Sequence, residues 1–372
     1  MKLTKLELIN FRNYKKIKVN LNKNINIFIG NNGQGKTNIL EAIYILGITK
    51  SHRYGDQINL VRRGMELTKI KGTLKKDRII SDLEIDISKN SKKVSINKTD
   101  VKKISDYITN MNVIMFTPDD LEIIKGSPQI RRNFLNIEIS QLDMDYIKCL
   151  NEYNKILKMR NEYLKTLYIN NYGDRRYLDI ITDKLIDRAV YIYKKRFEFI
   201  GLINKNIDDI YYNVTGNKGL FIKYDCSIGI SEFDEDNIRK LMKSKLEFNY
   251  NREIMQGNTL FGPHRDDFSF YIGDDNLRIF SSQGGQRLAV IVLKLSELPI
   301  FKKFTGFYPI LLLDDIFSEI DSKKRNRLVK YINCDIQTII TATDLKNINK
   351  KLLDDAKIFE VFSGDIRERE AK

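Results

Sequence analysis

Cysteine is scarce in this chain of 372 residues, and the three that occur are far apart and odd in number: Cys149, Cys226 and Cys334. That spacing excludes a disulfide framework and the closely paired ligands of a zinc site. Only two histidines are present, which leaves little from which a centre of nitrogen and sulfur ligands could be built. We expect isolated, reduced thiols in a cytoplasmic protein.

Long hydrophobic segments are missing as well, so the sequence predicts no membrane-spanning helix. The first residues, MKLTKLELINFRNY, lack the apolar stretch and the small-residue cleavage site of a secretory signal. Hydrophobic residues make up 42% of the chain and charged residues 30%, a balance typical of a globular protein with a real core. The length suits two or three domains of about 100–200 residues.

Positive charge is in excess, with 64 Lys and Arg against 49 Asp and Glu, which gives a net charge of +15. A basic protein attracts polyanions, of which nucleic acid is the commonest. The sequence is also rich in Lys, Asn and Ile, a composition that an AT-biased genome produces without a functional cause. Charge alone leaves nucleic-acid binding and a compositional origin as open alternatives.

Strand and helix patterns alternate at both ends of the chain. Near the N-terminus, the patterns predict strands at 2–9, 25–29 and within 66–97, and a helix at 37–48. Towards the C-terminus, they predict strands at 268–272, 277–280, 310–313 and 338–340. Both ends are therefore expected to build one α/β domain.

The middle of the chain has a helical pattern. Apolar residues recur at three- and four-residue steps from about 140 to 170, and a second helical stretch runs from about 178 to 208. Two helices joined by a short turn form an antiparallel hairpin. We predict a discontinuous head domain from residues 1–120 and 252–372, with an inserted helical arm from 121–251.

A phosphate-binding loop follows the strand at 25–29. The pattern G-x-x-x-x-G-K-[ST] is matched by Gly30, Asn31, Asn32, Gly33, Gln34, Gly35, Lys36 and Thr37. The glycines let backbone N–H groups surround phosphate oxygens, Lys36 adds positive charge for the β and γ phosphates, and Thr37 offers a hydroxyl to Mg²⁺. Because the pattern stands between a predicted strand and a predicted helix, it predicts a site for ATP and Mg²⁺.

Two carboxylates end the apolar strand at 310–313. Asp314 is placed to hold Mg²⁺, directly or through water, and Asp315 to orient or deprotonate the attacking water. We therefore predict Asp315 and Lys36 as catalytic residues, although the carboxylate pair could instead cap a loop. Asp315 is one methylene shorter than the glutamate common in transporter cassettes, so we expect slow hydrolysis.

The segment 281–287 (SSQGGQR) lies after the phosphate loop and just before the acidic strand. In this order it resembles the signature loop of ATP-binding-cassette proteins, which caps the γ-phosphate held by the opposite subunit. The resemblance makes Ser282, Gly284 and Gln286 candidate nucleotide contacts. Residues 318–321 resemble the D-loop, and Thr343 and Asp344 stand where cassette ATPases often carry a switch histidine.

Over essentially its whole length, the chain resembles the RecF family of bacterial recombination and gap-repair ATPases, relatives of the SMC and Rad50 heads. The resemblance is carried by residues 10–14 (NFRNY), 51–53 (SHR), 118–121 (PDDL), 126–128 (GSP), 131–136 (RRNFLN), 262–267 (GPHRDD) and 313–319 (LDDIFSE). Two mild departures are visible. Residues 283–286 are Gln-Gly-Gly-Gln where the family often has Gln-Gly-Gln-Gln, and Ile320 stands where leucine is usual.

The resemblance implies an ABC-type P-loop ATPase head of class α/β, built from both chain ends, with an inserted α-helical arm. It also implies an ATP-dependent homodimer that binds double-stranded DNA, a weak DNA-stimulated ATPase activity, and cooperation with RecR and RecO in loading RecA at gaps. Two alternatives stay open: a nucleotide-binding DNA clamp without useful hydrolysis, and an ABC transporter ATPase subunit. The absence of a switch histidine and the presence of 262–267 disfavour the transporter.

Several basic side chains have two possible roles. Arg53, which we include among the nucleotide contacts, either reaches a phosphate as in SMC-like heads or forms a surface salt bridge. Arg12 is a similar candidate for a contact near the adenine or the phosphates. His264 and Arg265 either support the sheet or sense nucleotide. Arg131 and Arg132 either contact DNA phosphates or pair with charges inside the fold.

Overall fold

A computed structural model describes residues 1–53, 55, 57–170, 174–332, 335–346 and 348–369, with only the backbone at 170, 318 and 319. Cys334 lies outside the described residues, as do the side chains of Ser318 and Glu319 in the predicted D-loop. Contacts divide the chain into two compact units. The head unit comprises 1–121, 209–217 and 287–372, and the arm unit comprises 122–208 and 218–286.

The elements follow one another along the chain in three groups. The first group is β1 (Lys2–Phe11), β2 (Tyr14–Asn20), β3 (Ile25–Ile29), α1 (Lys36–Ile48), β4 (Leu67–Lys76), β5 (Ile79–Ser88), β6 (Lys92–Ile96), β7 (Thr99–Asp100), α2 (Ile104–Ile108) and β8 (Val113–Phe116). The second is α3 (Glu122–Lys125), α4 (Pro128–Leu142), α5 (Met144–Asn170), α6 (Arg175–Thr215), β9 (Leu220–Asp225), α7 (Glu235–Phe248), α8 (Tyr250–Gln256), β10 (Asp267–Ile272), β11 (Asp275–Asn276) and α9 (Leu277–Phe280). The third is α10 (Gln283–Thr305), β12 (Ile310–Asp314), α11 (Ser322–Leu328), β13 (Thr338–Ala342), α12 (Lys350–Asp354), β14 (Ala356–Phe362) and β15 (Asp365–Arg369).

Two six-stranded sheets form the head unit. One is antiparallel with strand order β2-β1-β4-β5-β6-β7, and the other has the order β15-β14-β3-β13-β12-β8. In the second sheet β14, β3, β13, β12 and β8 run parallel, and β15 is antiparallel at the edge. Every residue of β3, β8, β12 and β13 is buried, as expected of parallel strands covered on both faces.

Helix α1 is buried on nearly all sides because it contacts strands of both head sheets. This explains why its sequence, KTNILEAIYILGI, is apolar around the whole helix instead of along one stripe. The bounds of this helix agree with the predicted 37–48 to within one residue. The strands predicted at 25–29, within 66–97, at 310–313 and at 338–340 are present. The predicted α/β head is confirmed.

The arm unit contains the two predicted long helices, α5 and α6, together with a three-stranded sheet of order β11-β10-β9. The contact-based division differs from the predicted boundary at 251, because it places 252–286 in the arm unit. Two interactions explain the difference. Strand β10 pairs with β9 over six residues, and α8 packs against α5.

One predicted strand is wrong. Residues 277–280 form helix α9 instead, although Ile279 and Phe280 favour strands by propensity. The Asn276 side chain accepts a hydrogen bond from the backbone N–H of Arg278, and so caps the start of the turn. Among the described helices, none is long and apolar enough to cross a membrane.

Candidate nucleotide site

The carboxyl ends of the parallel strands form the candidate site. Because β3, β12, β13 and β14 run in the same direction, the segments that follow them lie along one edge of the sheet. Those segments are the phosphate-binding loop after β3, Asp314 and Asp315 at the end of β12, Thr341 in β13, and the turn after β14. Ligands of open α/β sheets bind at this edge.

The loop requires glycine for two reasons: its backbone adopts positive φ angles, and neighbouring side chains leave no room for a Cβ at Gly35. Gly33 and Gly35 have φ angles of 80° and 114°, in the region that residues with a Cβ rarely adopt. A Cβ on Gly35 would lie 2.6 Å from Asn13 Nδ2 and 2.9 Å from the Tyr14 hydroxyl. A Cβ on Gly33 would meet nothing within 4 Å, so the loop is open on that side.

Two turns of the head unit hold the loop in place. From the β1–β2 turn, Asn13 Nδ2 donates to Gln34 O and the Tyr14 hydroxyl donates to Gly35 O, both at 2.9 Å. From the β14–β15 turn, the backbone N–H of Ser363 donates to Gln34 Oε1 at 2.6 Å. The 10–14 motif therefore supports the loop from outside.

The Lys36 ammonium lies folded over the loop. Its Nζ donates to Gly30 O at 2.6 Å and to Asn31 O at 3.0 Å, and the residue is buried. Burial lowers the pKa of Lys36, while the charges of Asp315 and Asp314 act in the opposite direction. A cation held between loop carbonyls and two acids is in place to meet a phosphate.

Asp314 and Thr37 meet although 276 residues separate them in the sequence. Thr37 Oγ1 donates to Asp314 Oδ1 at 3.0 Å, and Thr341 Oγ1 donates to the same oxygen at 2.6 Å. Burial raises the pKa of Asp314, and the two hydroxyl hydrogen bonds oppose that rise. A buried carboxylate beside a hydroxyl is an oxygen donor pair of the kind that Mg²⁺ prefers, so the residues fit the ion.

Asp315 has a left-handed backbone, with φ 49° and ψ 28°. Its N–H donates to Thr341 O at 3.2 Å and to Thr341 Oγ1 at 3.1 Å. Thr341 therefore orients the Asp314 carboxylate and holds the backbone of Asp315, a role that the sequence analysis missed. A threonine at the end of a buried parallel strand beside β12 was the available signal, because Asp314 and Thr341 are register partners. Thr343 and Asp344, at the switch position, are exposed.

Glu41 is a second residue that the sequence analysis missed. It is fully buried in α1 and accepts two hydrogen bonds from the Arg12 guanidinium, at 2.6 and 2.9 Å, and one from Ser51 at 2.6 Å. Burial alone would raise the pKa of Glu41, but the hydrogen bonds from Arg12 and Ser51 hold it below its usual range. A carboxylate inside an otherwise apolar helix was the available signal.

The two basic residues near α1 have different partners. Arg12 forms an ion pair with the buried Glu41 and donates a hydrogen bond to the carbonyl of Asn59 at 2.8 Å. Arg53 is 36% exposed, with Nη1 3.1 Å from Asn38 Oδ1 and 3.7 Å from Glu41 Oε2. Its contact with Asn38, one residue after Thr37, places Arg53 at the start of the loop's helix. The interactions of Arg12 are structural, whereas Arg53 keeps access to solvent beside the site.

Residues 281–286 of the signature segment belong to the arm unit, and Arg287 belongs to the head unit. Ser282 and Gly284 are exposed at the start of α10, and Ser282 Oγ accepts from the N–H of Gly285 at 3.3 Å. Gln286 is different, because it is only 3% exposed. Its Nε2 donates to Leu277 O at 2.8 Å and to Ser281 O at 3.2 Å, so this side chain is used inside the unit.

The arm unit uses the 262–267 motif and Arg131 for internal structure. Arg131 is 3% exposed and forms a bidentate ion pair with Asp267 at 2.6 and 2.9 Å. His264 Nδ1 lies 2.6 Å from the Tyr153 hydroxyl. Asp266 accepts from the Tyr224 hydroxyl at 2.6 Å. For Arg131 and His264 the structural alternative is therefore the one that the geometry supports.

These parts define the class of protein: a P-loop ATPase head of the ABC type with an inserted arm. A solved SMC head bound to the C-winged helix domain of ScpA shares the fold, with a TM-score of 0.55 at 16% identity over 99% of this chain and 97% of that one. Residues 2–365 match the family described as RecF/RecN/SMC N terminal domain.

Nearer relatives identify the family. The chain is 39% identical over 368 residues to the DNA replication and repair protein RecF of Bacillus cereus, covering 98% of each chain. It is 40% identical over 371 residues to RecF of Halalkalibacterium halodurans, covering 99% of this chain and all of the other. A solved RecF-ATP structure of the RecFOR pathway superposes with a TM-score of 0.91 at 31% identity, covering 99% and 97% of the two chains. The chain belongs to the RecF family.

Proposed function

We propose that this chain is an ATPase of recombinational DNA repair that uses bound ATP to hold a homodimer on double-stranded DNA. The observation that carries the proposal is the pairing of Thr37 with Asp314 at 3.0 Å beside an open phosphate loop. This arrangement joins the metal-binding and phosphate-binding parts of one ATP site. The chain belongs to a family whose members are named DNA replication and repair proteins, which supports the proposed role in DNA repair.

In the proposed mechanism, the backbone of Gly30, Asn31, Asn32, Gly33, Gln34 and Gly35 holds the triphosphate. Lys36 contacts the β and γ phosphates, and Thr37 and Asp314 hold Mg²⁺. The ion, when bound, neutralises charge on the β and γ oxygens. Asp315 accepts a proton from the attacking water as the new bond to the γ-phosphorus forms and the bond to ADP breaks. We assign Arg53 to a phosphate contact because its guanidinium is the exposed one near Asn38.

The exposure of the signature loop supports the proposed dimer. Ser282 and Gly284 are exposed, so they are available to cap a γ-phosphate held by a second subunit. Gln286 supports that loop from within and does not itself contact the nucleotide, since its side chain is buried. ATP is then shared between two equivalent interfaces, and hydrolysis opens them.

DNA binding is proposed to be directed at the sugar-phosphate backbone. The net charge of +15 supports attraction to DNA, and binding of this kind weakens steeply with salt and tolerates changes of sequence. Arg131 is excluded from the DNA contacts by its buried ion pair with Asp267. Cooperation with RecR and RecO in loading RecA is supported by the naming of a structural relative as part of the RecFOR pathway.

The second candidate is a DNA clamp that binds ATP without useful hydrolysis. It is favoured by the shortness of the Asp315 side chain, which limits how far its carboxylate reaches from the backbone. The transporter alternative receives no support, since family members match over nearly the whole chain.

Replacing Asp315 by Asn separates the ATPase from the inert clamp. Asparagine tolerates the left-handed backbone at this position as well as aspartate does, so the fold is kept while the base is lost. We expect phosphate release to fall by about 100-fold or more, with binding of a fluorescent ATP analogue retained. The matched control is Asp354→Asn, at the exposed last residue of α12, which should change neither quantity. Equal phosphate release from Asp315→Asn and the parent would contradict the assignment of the base.

A further inference from the structure

The turn before the signature loop displays two large apolar side chains to solvent. Ile279 and Phe280, the last two residues of α9, are 72% and 69% exposed. Leu277 of the same turn is 1% exposed, and α9 packs against β10. The arm unit therefore buries one apolar side chain of this turn and leaves its two neighbours outside. Exposed apolar groups side by side mark an interaction surface more often than single ones do.

The exposed pair is tied to the signature loop by one buried side chain. Gln286 Nε2 donates to the carbonyls of Leu277 and Ser281, which stand at the start of α9 and just after its end. Because Asn276 caps the other end of the turn, Ile279 and Phe280 are held in the orientation that exposes them. The turn and the loop therefore form one supported surface, which we call the signature surface: residues 278–284.

We propose that Ile279 and Phe280 bind a second copy of this chain and supply apolar contact area to the ATP-bound dimer. The inference rests on the proposed function, because it starts from Ser282 meeting the nucleotide of the opposite subunit. Phe280 is two residues from Ser282, so their Cα atoms are at most about 7.6 Å apart. A loop that reaches the partner's phosphate therefore brings Phe280 against the partner's surface.

A protein surface suits this pair better than DNA does. The backbone of duplex DNA presents charged phosphates, which offer no apolar counterpart to Ile279 and Phe280. An apolar contact also complements the nucleotide bridge, because apolar burial persists at salt concentrations that screen contacts between exposed charges. In a two-fold dimer each contact occurs twice, so a single substitution removes it on both sides.

The test measures the dissociation constant of the dimer in Mg²⁺-ATP, by light scattering over a dilution series. All variants carry Asp315→Asn, so that ATP persists. We expect Phe280→Ser and Ile279→Ser each to weaken the dimer by at least about tenfold. Phe280→Leu keeps an apolar side chain and should stay within about twofold of the parent. The matched control is Phe248→Ser, which removes an aromatic ring that is 90% exposed on α7.

Each outcome separates this inference from the function on which it rests. A parent that stays monomeric in Mg²⁺-ATP would overturn the proposed dimer itself. A parent that dimerises, with Phe280→Ser and Ile279→Ser dimerising equally well, would overturn the apolar contact and leave the proposed function standing. Binding of labelled ATP and the thermal midpoint of the monomer show that each variant is folded. If Phe280→Ser fails that check, Ile279→Ser still decides the question.

Discussion

At the scale of single residues, two buried polar side chains hold charged groups near the candidate nucleotide site in place. Thr341 orients Asp314 through its hydroxyl and Asp315 through its carbonyl and hydroxyl, and Glu41 joins Arg12 to Ser51. Sequence patterns predicted Lys36, Thr37, Asp314 and Asp315 as site residues because the chemistry assigned to them is tied to a fixed local spacing. Thr341 and Glu41 act through partners that are distant in sequence, so a polar residue in an apolar strand or helix marks each of them but does not name its partner.

His264 predicts a pH dependence of stability. Burial lowers the pKa of His264 to about 4 from its ordinary value of 6.5. Between those pH values the unfolded chain binds a proton that the folded chain excludes, so stability falls as the pH drops from 6.5 towards 4. The loss from this residue is roughly 2 kcal/mol at pH 5 relative to pH 7.5.

The measurement is urea unfolding of the parent and of His264→Asn between pH 7.5 and pH 5. We expect the variant to lose less stability across that range than the parent, because asparagine does not titrate. His52, whose pKa is likewise lowered to about 4 by burial, remains in both proteins and provides the common background. Parallel stability curves for the two proteins would contradict this account, because they would show that the pKa of His264 is the same in the folded and unfolded chain.

At the scale of elements, turns from two distant parts of the chain support the phosphate loop. The β1–β2 turn bonds the backbone of Gln34 and Gly35, and the β14–β15 turn bonds the side chain of Gln34. The loop is thus held in shape by turns whose residues are not themselves proposed to contact the nucleotide. The sequence predicted the loop, but only the pairing of β14 with β3 brings Ser363 to it.

Tyr14→Phe tests this support. The Tyr14 hydroxyl is buried, and burial raises its pKa, so it stays protonated and donates to Gly35 O at 2.9 Å. Removing one such hydrogen bond costs about 1 kcal/mol, and we expect ATP affinity to fall about threefold to tenfold. The measurement is titration with a fluorescent ATP analogue. Tyr191→Phe, which removes a hydroxyl that donates to Asp143 in the arm unit, is the control and should bind as the parent does. Equal affinities would mean that the loop needs no such support.

Helices and strands were predicted correctly where their hydrophobic periodicity was strong. The prediction failed where a helix cap or a long-range strand pair determined the structure. The helix at 36–48 and the strands at 25–29 and 310–314 have long apolar patterns, and their bounds were nearly those observed. The turn at 277–280 is helical because Asn276 caps it, against the strand propensity of its residues. The head boundary was placed too early because β9 and β10 pair across 41 intervening residues.

At the scale of the whole molecule, the proposed ATP site and the exposed signature loop belong to different units of the chain. The phosphate loop, Asp314 and Asp315 belong to the head unit, and Ser282 and Gly284 belong to the arm unit. In the proposed dimer, each ATP site is complete only when the second subunit supplies its loop. Under the proposed function, bound ATP acts as the link between subunits, and slow hydrolysis sets how long the DNA-bound state lasts.

The solution mass of Asp315→Asn, measured by light scattering with Mg²⁺-ATP and then with Mg²⁺-ADP, tests this account most directly. With ATP we predict a change from the monomer mass of 43.6 kDa to twice that value, and with ADP we predict the monomer mass. Adding Ser282→Arg should abolish the change, because the side chain would fill the place of the γ-phosphate. A mass that is the same in both nucleotides would contradict the central claim that ATP joins two copies of this chain.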